Sequence, residues 1–172
     1  MAIYALGDVE PDIHPDAYVH PDATVIGNVR VGAESTLWPH TVLRGDYGFI
    51  VVGERTSIQD GAVVHCTEEH ATFVGDDCVI GHLAHLEGCH VENGALVGTG
   101  AVVLHRAVIG AGALVGAGAV VPNDLVVPVN AMALGVPAKI RPDSVQPGMI
   151  AEMKDKYVLN ARRYRAELRR LD

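Results

Sequence analysis

The chain has 172 residues, 49% of them hydrophobic but only 5% aromatic, with 19 glycines and a formal charge of −8. That length suits one domain able to bury a core, and the acidic balance excludes a general nucleic-acid-binding face, which needs clustered positive charge. No stretch reaches the ~18 uninterrupted apolar residues of a membrane span, and the start has no basic segment running into an apolar one, so neither a membrane partner nor a secretory leader is expected.

From Ile13 onward, aliphatic residues recur at six-residue intervals: Ile13, Val19, Val25, Val31, Leu37 and Leu43. The beat returns at Val52, Ile58 and Val64, at Val74, Ile80 and Leu86, and from Val91 through Val97, Val103, Ile109, Val115 and Val121 to Val127. Four places later a small residue often follows, as at Ala17, Ala62, Ala84 and Ala101. This period fits neither a helix nor a long strand. It fits short strands joined by tight turns, one aliphatic knob per side of a parallel β-helix with coils of about 18 residues. Two insertions interrupt it, one at Asp46-Tyr47-Gly48-Phe49 and one at His65-Cys66-Thr67-Glu68-Glu69-His70; both are expected to project as loops. One residue is also lost between Leu86 and Val91. Cys66, Cys78 and Cys89 are odd in number and form no CxxC pair, which points to a reduced, cytoplasmic protein with cysteines as packing residues.

Pro122, Pro128, Pro137, Pro142 and Pro147 punctuate the exit from the repeat. From Met149 to Leu171 the spacing of Ile150, Met153, Tyr157, Ala161, Tyr164 and Leu168 predicts an amphipathic helix of about 22 residues. The expected organisation is a β-helix over 1–142 and a helical tail over 143–172 packed on it, a single domain overall. Arg162, Arg163, Arg165, Arg169 and Arg170 read as a solvated face of that helix.

The register brings distant residues together. Arg44, His65 and Glu87 each follow an inward aliphatic residue, and their separations of 21 and 22 residues are one 18-residue coil plus the insertions of three and four. They therefore stack in one outward column, ~4.8 Å between rungs. Asp60 and His82 form a second column with Gln59 beside it, on another face of the coil. For the two columns to meet at one ligand, two prisms must pack side by side, which a closed homotrimer achieves.

The strings LRGDY (43–47), IQDGAVVH (58–65), IGHLAHLEGC (80–89), ALVGTGAVVL (95–104) and LGVPAKIR (134–141) resemble the γ-class carbonic anhydrase family. The resemblance covers essentially the whole chain. It implies an all-β left-handed parallel β-helix of hexapeptide repeats with a C-terminal α-helix, assembled as a homotrimer that binds zinc, iron or cobalt through three histidines shared between subunits. His65 and His82 match two of them. Where the third stands, this sequence has Glu87, and His85 lies two residues before it, roughly 6.5–7 Å away on one side of a strand. Glu87 as ligand, His85 as ligand, and neither all remain open. Two imidazoles and a carboxylate form a known catalytic zinc set, used also by non-haem iron.

The resemblance further implies that Arg44 and Asp46 form the family's interface ion pair, and that Gln59 orients the nucleophilic oxygen beside Asp60. Glu68 stands where a proton-shuttle glutamate occurs, Tyr47 replaces a second acidic residue, and Tyr157 matches a tyrosine lining the site, with core packing as its alternative. The expected activity is metal-activated water attacking CO2 or another small-molecule electrophile. The alternatives are a diverged hydrolase or lyase, for example on thioesters, and a non-catalytic metal-binding or scaffold trimer. His14, His20, His40, His70, His90 and His105 are expected to be surface or packing residues.

Overall fold

In the computed structural model, which describes residues 2–146 and 148–172, the six-residue beat becomes a parallel β-solenoid. Pro147 lies outside the described residues. Most strands are two or three residues long, and each pairs in parallel with the strand one coil away. Leu43 stands opposite Val64, Val64 opposite Leu86, Leu86 opposite Val103 and Val103 opposite Val121. Every inward aliphatic position from Val25 to Val127 is buried, with the alanines of the repeat at the neighbouring corners, so the core is one stack of small aliphatic layers. The coil after Leu86 is one residue shorter, yet the ladder holds: Leu86 and Val103 are partners.

The first insertion is no loop. Asp46-Tyr47-Gly48-Phe49 lies inside an unbroken strand, Val42–Val52, paired along much of its length with Thr24–Val31. The two long strands cross a corner of the prism and merge two of its faces into one twelve-stranded sheet, while an eight-stranded sheet forms the third face. The extra residues are absorbed by a register shift between Gly27 and Val29. Gly45 permits the crossing, because a Cβ there would stand 2.4 Å from the Asn28 carbonyl oxygen. The second insertion does form a connection, between Val63–His65 and Thr72–Val74.

At the far end Lys139–Arg141 folds back antiparallel on Met132–Leu134. The tail then forms helix α1, Met149–Glu167, 19 residues rather than the 22 of the periodicity. Leu168 turns extended and is half exposed, and Leu171 is exposed, so the last predicted turn has no apolar partner to hold it. Ile150 and Ala161 are buried, and Tyr157 and Tyr164 pack on Trp38, whose indole N–H donates to Ser57 Oγ at 3.0 Å. The arginines are mostly solvated, as expected, although Arg162 pairs with Glu34 and Arg165 donates to the Asp16 and Ala17 carbonyls.

Besides the Arg162–Glu34 pair, Lys154 fastens α1 to the prism through Asp77. Asp77 Oδ1 accepts from Arg55 Nε at 2.8 Å and lies 3.2 Å from Lys154 Nζ. The Arg55 bonds, reinforced by Lys154 and opposed by partial burial, hold the Asp77 carboxyl below the ordinary range. A depressed carboxyl contributes stability that is complete above its unfolded value of about 3.9 and is lost as pH falls through the lower folded value. Acid titration of Trp38 fluorescence is expected to show α1 loosening over that window. In Asp77→Asn the looseness should already be present at neutral pH and this acid step should vanish; an unchanged profile would remove Asp77 as the clamp.

Candidate metal site on the prism face

The predicted site residues fall into two groups, one on the strands of a prism face and one at its corner turns. The first is built on the outward side of three adjacent rungs: Val42–Val52, Val63–His65 and His85–Glu87. Arg44 is the ladder partner of His65, and His65 of Glu87, as the spacing predicts. His65 Nδ1 lies 3.0 Å from Glu87 Oε1, and its Nε2 lies 3.0 Å from Asp46 Oδ1. Asp46 is held in turn by Arg44 through its other oxygen. His85 Nε2 lies 3.1 Å from Glu87 Oε2. Burial by itself pushes the Glu87 carboxyl up, but the bonds from His65 and His85 outweigh it and leave the group below its ordinary value, a carboxylate at neutral pH. The same holds for Asp46, where Arg44 and His65 overcome desolvation.

The second group lies in the corner turns that lead from Ser57–Ile58 to Val63–His65 and from Val79–Ile80 to His85–Glu87. His82 Nδ1 is 3.0 Å from Asp60 Oδ2, and both side chains are half exposed. Gln59 is buried beneath them. Tyr157 of α1 reaches this group. Its hydroxyl pKa is raised, first by burial and then by the Asp60 charge, with a Gln59 hydrogen bond acting the other way. Tyr157 packs on Trp38 and lies beside Gln59. Glu68 is exposed on its loop and makes no hydrogen bond to either group among the described residues. Tyr47 is exposed beside the first group. Cys66, Cys78 and Cys89 are buried, and burial pushes the Cys78 and Cys89 thiols up to about 12, so they are packing residues rather than ligands or nucleophiles.

His105 is the residue that sequence reasoning missed. Its Nε2 is buried without a hydrogen-bond partner, 3.7 Å from Glu87 Oε1. The coil here is 17 residues long, with Leu86 opposite Val103, so Leu104 rather than His105 follows Glu87 in the column and the spacing gave no signal for it.

Among the described residues no three His, Cys, Asp or Glu side chains of a single chain stand ready around one ion. His65, Glu87 and His82 are each held by a neighbour, namely Asp46, His85 and Asp60; the second polar atoms of His65 and Glu87 face each other, and His82 Nε2 makes no hydrogen bond among the described residues. A carboxylate on the far nitrogen is the usual setting of a ligating histidine. The 3.0 Å between His65 Nδ1 and Glu87 Oε1 is near the ~3.3 Å between two donors on one tetrahedral zinc.

The family description bacterial transferase hexapeptide (six repeats) matches residues 88–123. A solved protein of Bacillus cereus, provisionally named an acetyltransferase, is 32% identical, with 97% of this chain and 98% of that one covered and a TM-score of 0.94. A hexapeptide transferase family protein from Anaplasma phagocytophilum is also 32% identical, covering 95% and 98%, with a TM-score of 0.90. The chain belongs to the hexapeptide-repeat family. The coil of this hexapeptide-repeat protein is accordingly the left-handed β-helix. The carnitine operon protein CaiE of Escherichia coli O157:H7 is 45% identical over 98 residues, 57% of this chain and 50% of that protein. The chain thus spans about half the length of the curated relatives it matches. Perosamine N-acetyltransferase from Caulobacter crescentus, solved with CoA and GDP-perosamine, is 34% identical over 77% of this chain and 57% of its own, with a TM-score of 0.58.

Proposed function

We propose that this hexapeptide-repeat protein is a carbonic anhydrase-like metalloprotein, a homotrimer with a divalent ion, zinc before iron or cobalt, shared at each subunit interface. His65 and Glu87 of one protomer and His82 of its neighbour would hold the ion. The observation that carries the reading is the paired support of these three side chains, each oriented by its own partner. His82 needs a second copy because it stands at a corner turn, paired with Asp60, and does not join His65 and Glu87 in one group within the chain.

When bound, such an ion supplies Lewis acidity and a water acidified toward neutrality. The chain's own residues do the rest. With an ion bound, Asp46 would hold the His65 proton on Nε2 and so release the Nδ1 that otherwise faces Glu87 Oε1, and Asp60 would hold the His82 proton on Nδ1, leaving its Nε2 for the ion. His85 donates to Glu87 Oε2, so that Oε1 faces the site. Gln59, fixed beside Tyr157, would orient the attacking oxygen, and Glu68 would carry the released proton from its exposed loop. A carboxylate in place of an imidazole lowers the positive charge at the site, makes the water less acidic, and favours slow CO2 hydration or a related attack on another small electrophile.

Protein purified without chelator is expected to carry zinc, and metal-free protein would remove the reading. In a CO2-hydration assay Glu87→His should exceed the wild type by on the order of tenfold, the effect of about one pKa unit in the activated water. Two inactive proteins that both hold metal would redirect the site to hydrolysis of another substrate.

One observation favours a second reading, acyl transfer. His85 bonded to Glu87 is a base oriented by a carboxylate, and the Caulobacter crescentus relative was solved with CoA. Saturable binding of acetyl-CoA, blocked by His85→Ala, would support that reading over the first.

A further inference from the structure

The two ends of the prism are closed differently. At the far end the chain caps itself: Lys139–Arg141 folds back on Met132–Leu134, and Ala138 and Ile140 pack against the core. At the first coil no such cap lies over the core among the described residues. Ile3 is the ladder partner of the core residue Val25 and so belongs to the bottom aliphatic layer, yet it is 42% exposed. Tyr4, Leu6 and Val9 beside it are half exposed. A solenoid end that leaves apolar side chains and a strand edge open is a surface for another chain to cover.

The charge of that end points to its occupant. Residues 2–22 carry Asp8, Glu10, Asp12, Asp16 and Asp22 and no lysine or arginine. The complementary segment is the tail that follows α1. The helix descends the prism, from Lys154 at Asp77, through Arg162 at Glu34, to Arg165 at the Asp16 and Ala17 carbonyls, and so delivers residues 168–172 to the first coil. There Leu168 turns extended, and the tail borders a cavity of about 420 Å³ against His20, Pro21 and Asp22. Leu171 is 83% exposed, and Arg170 bonds to Asp172 of the tail itself.

The position of the tail selects which copy it covers. Val19, Leu37, Ile58 and Ile80 form one ladder, so the turn His20-Pro21-Asp22 occupies the corner that Asp60 and His82 occupy on later coils. The proposed trimer sets that corner against the neighbouring prism, and side-by-side packing about a threefold axis puts all three first coils at one end. The tail therefore emerges beside the first coil of the next copy, and five extended residues reach ~17 Å.

We propose that residues 168–172 of each protomer dock on the first-coil end of its neighbour, with Leu171 against Ile3, Tyr4 and Leu6, and Arg169 and Arg170 facing Asp8 and Glu10. This inference rests on the homotrimer of the reading above and is independent of any metal. It supplies the apolar partner that the tail lacks on its own prism.

The test uses the full chain carrying Tyr4→Cys and Leu171→Cys, treated with a short bis-maleimide and separated on a denaturing gel, with sedimentation velocity to give the oligomeric state. Leu6→Cys with Leu171→Cys serves as a second pair, and circular dichroism confirms the fold of each variant. Cys66, Cys78 and Cys89 are buried, so the wild type is the uncoupled control. Both pairs are expected to couple chains into covalent dimers and trimers, while each single-cysteine variant stays monomeric on the gel. Adding Arg169→Glu and Arg170→Glu should lower the coupled fraction about tenfold, because like charges then face each other. A trimer whose chains couple only within themselves, or not at all, or equally well after the charge reversal, overturns the docking and leaves the trimer standing. A wild-type chain that sediments as a monomer overturns the trimer, and the docking with it.

Discussion

Glu87→Ala is expected to weaken zinc binding by at least about 100-fold, the upper end of what loss of a supporting partner costs a metal site. Glu87 is where the site's imidazoles converge: Oε1 faces His65 at 3.0 Å and His105 at 3.7 Å, and Oε2 faces His85 at 3.1 Å. Its charge persists at neutral pH because the histidine bonds outweigh the cost of burial. Alanine removes the anionic donor and leaves His65 and His85 without their shared acceptor, so the remaining imidazoles lose both charge balance and orientation. Glu87→Gln keeps the shape and one acceptor oxygen but not the charge, and should fall between alanine and wild type. Competition with a zinc indicator dye measures all three proteins. An affinity in Glu87→Ala equal to that of the wild type would place any bound ion elsewhere.

Leu86→Ala is expected to cost about 3–4 kcal/mol, which at ~2–4 °C per kcal/mol for a chain of this size lowers Tm by roughly 6–16 °C. Leu86 is fully buried, with Val64 above and Val103 below as its ladder partners. The prism cannot close over the gap, because the coils on both sides are fixed by parallel hydrogen bonds and each layer is filled by a few aliphatic side chains. Leu86→Val, which keeps most of the volume, should cost only about 1 kcal/mol. Because Leu86 lies between His85 and Glu87 on one short strand, the alanine variant should also loosen those two side chains, which the proposed metal site depends on. Thermal unfolding followed by circular dichroism gives the first effect and the zinc competition the second. A Tm equal to that of the wild type would mean that the coil collapses locally and that the core is less rigid than its packing implies.

The columns were legible in the sequence because a parallel ladder sets one residue opposite one residue, so a side chain's place follows from counting. Arg44, His65 and Glu87 stack as counted, and Asp60 meets His82. Counting does not say what inserted residues do. Asp46-Tyr47-Gly48-Phe49 reads as a loop by number but stays extended within one strand, because residues 42–45 and 50–52 on either side of it pair across the corner with Thr24–Val31 and Gly45 admits the close approach. The helix was legible by period, but its end was not, since it stops where contact with the prism stops.

By itself, then, the sequence determined the six-residue repeat, the aliphatic core, the stacking of His65 on Glu87 and the presence of a carboxylate in that column. Only the tertiary structure decided which atoms those side chains present. Asp46 takes one nitrogen of His65, His85 takes one oxygen of Glu87, and His105 brings a buried nitrogen to the other. The physical reason is that backbone register places Cα atoms, whereas side-chain direction depends on local room. At His105 that room comes from a glycine at positive φ and from the ring of His70 on its other side, a juxtaposition that the spacing alone does not encode.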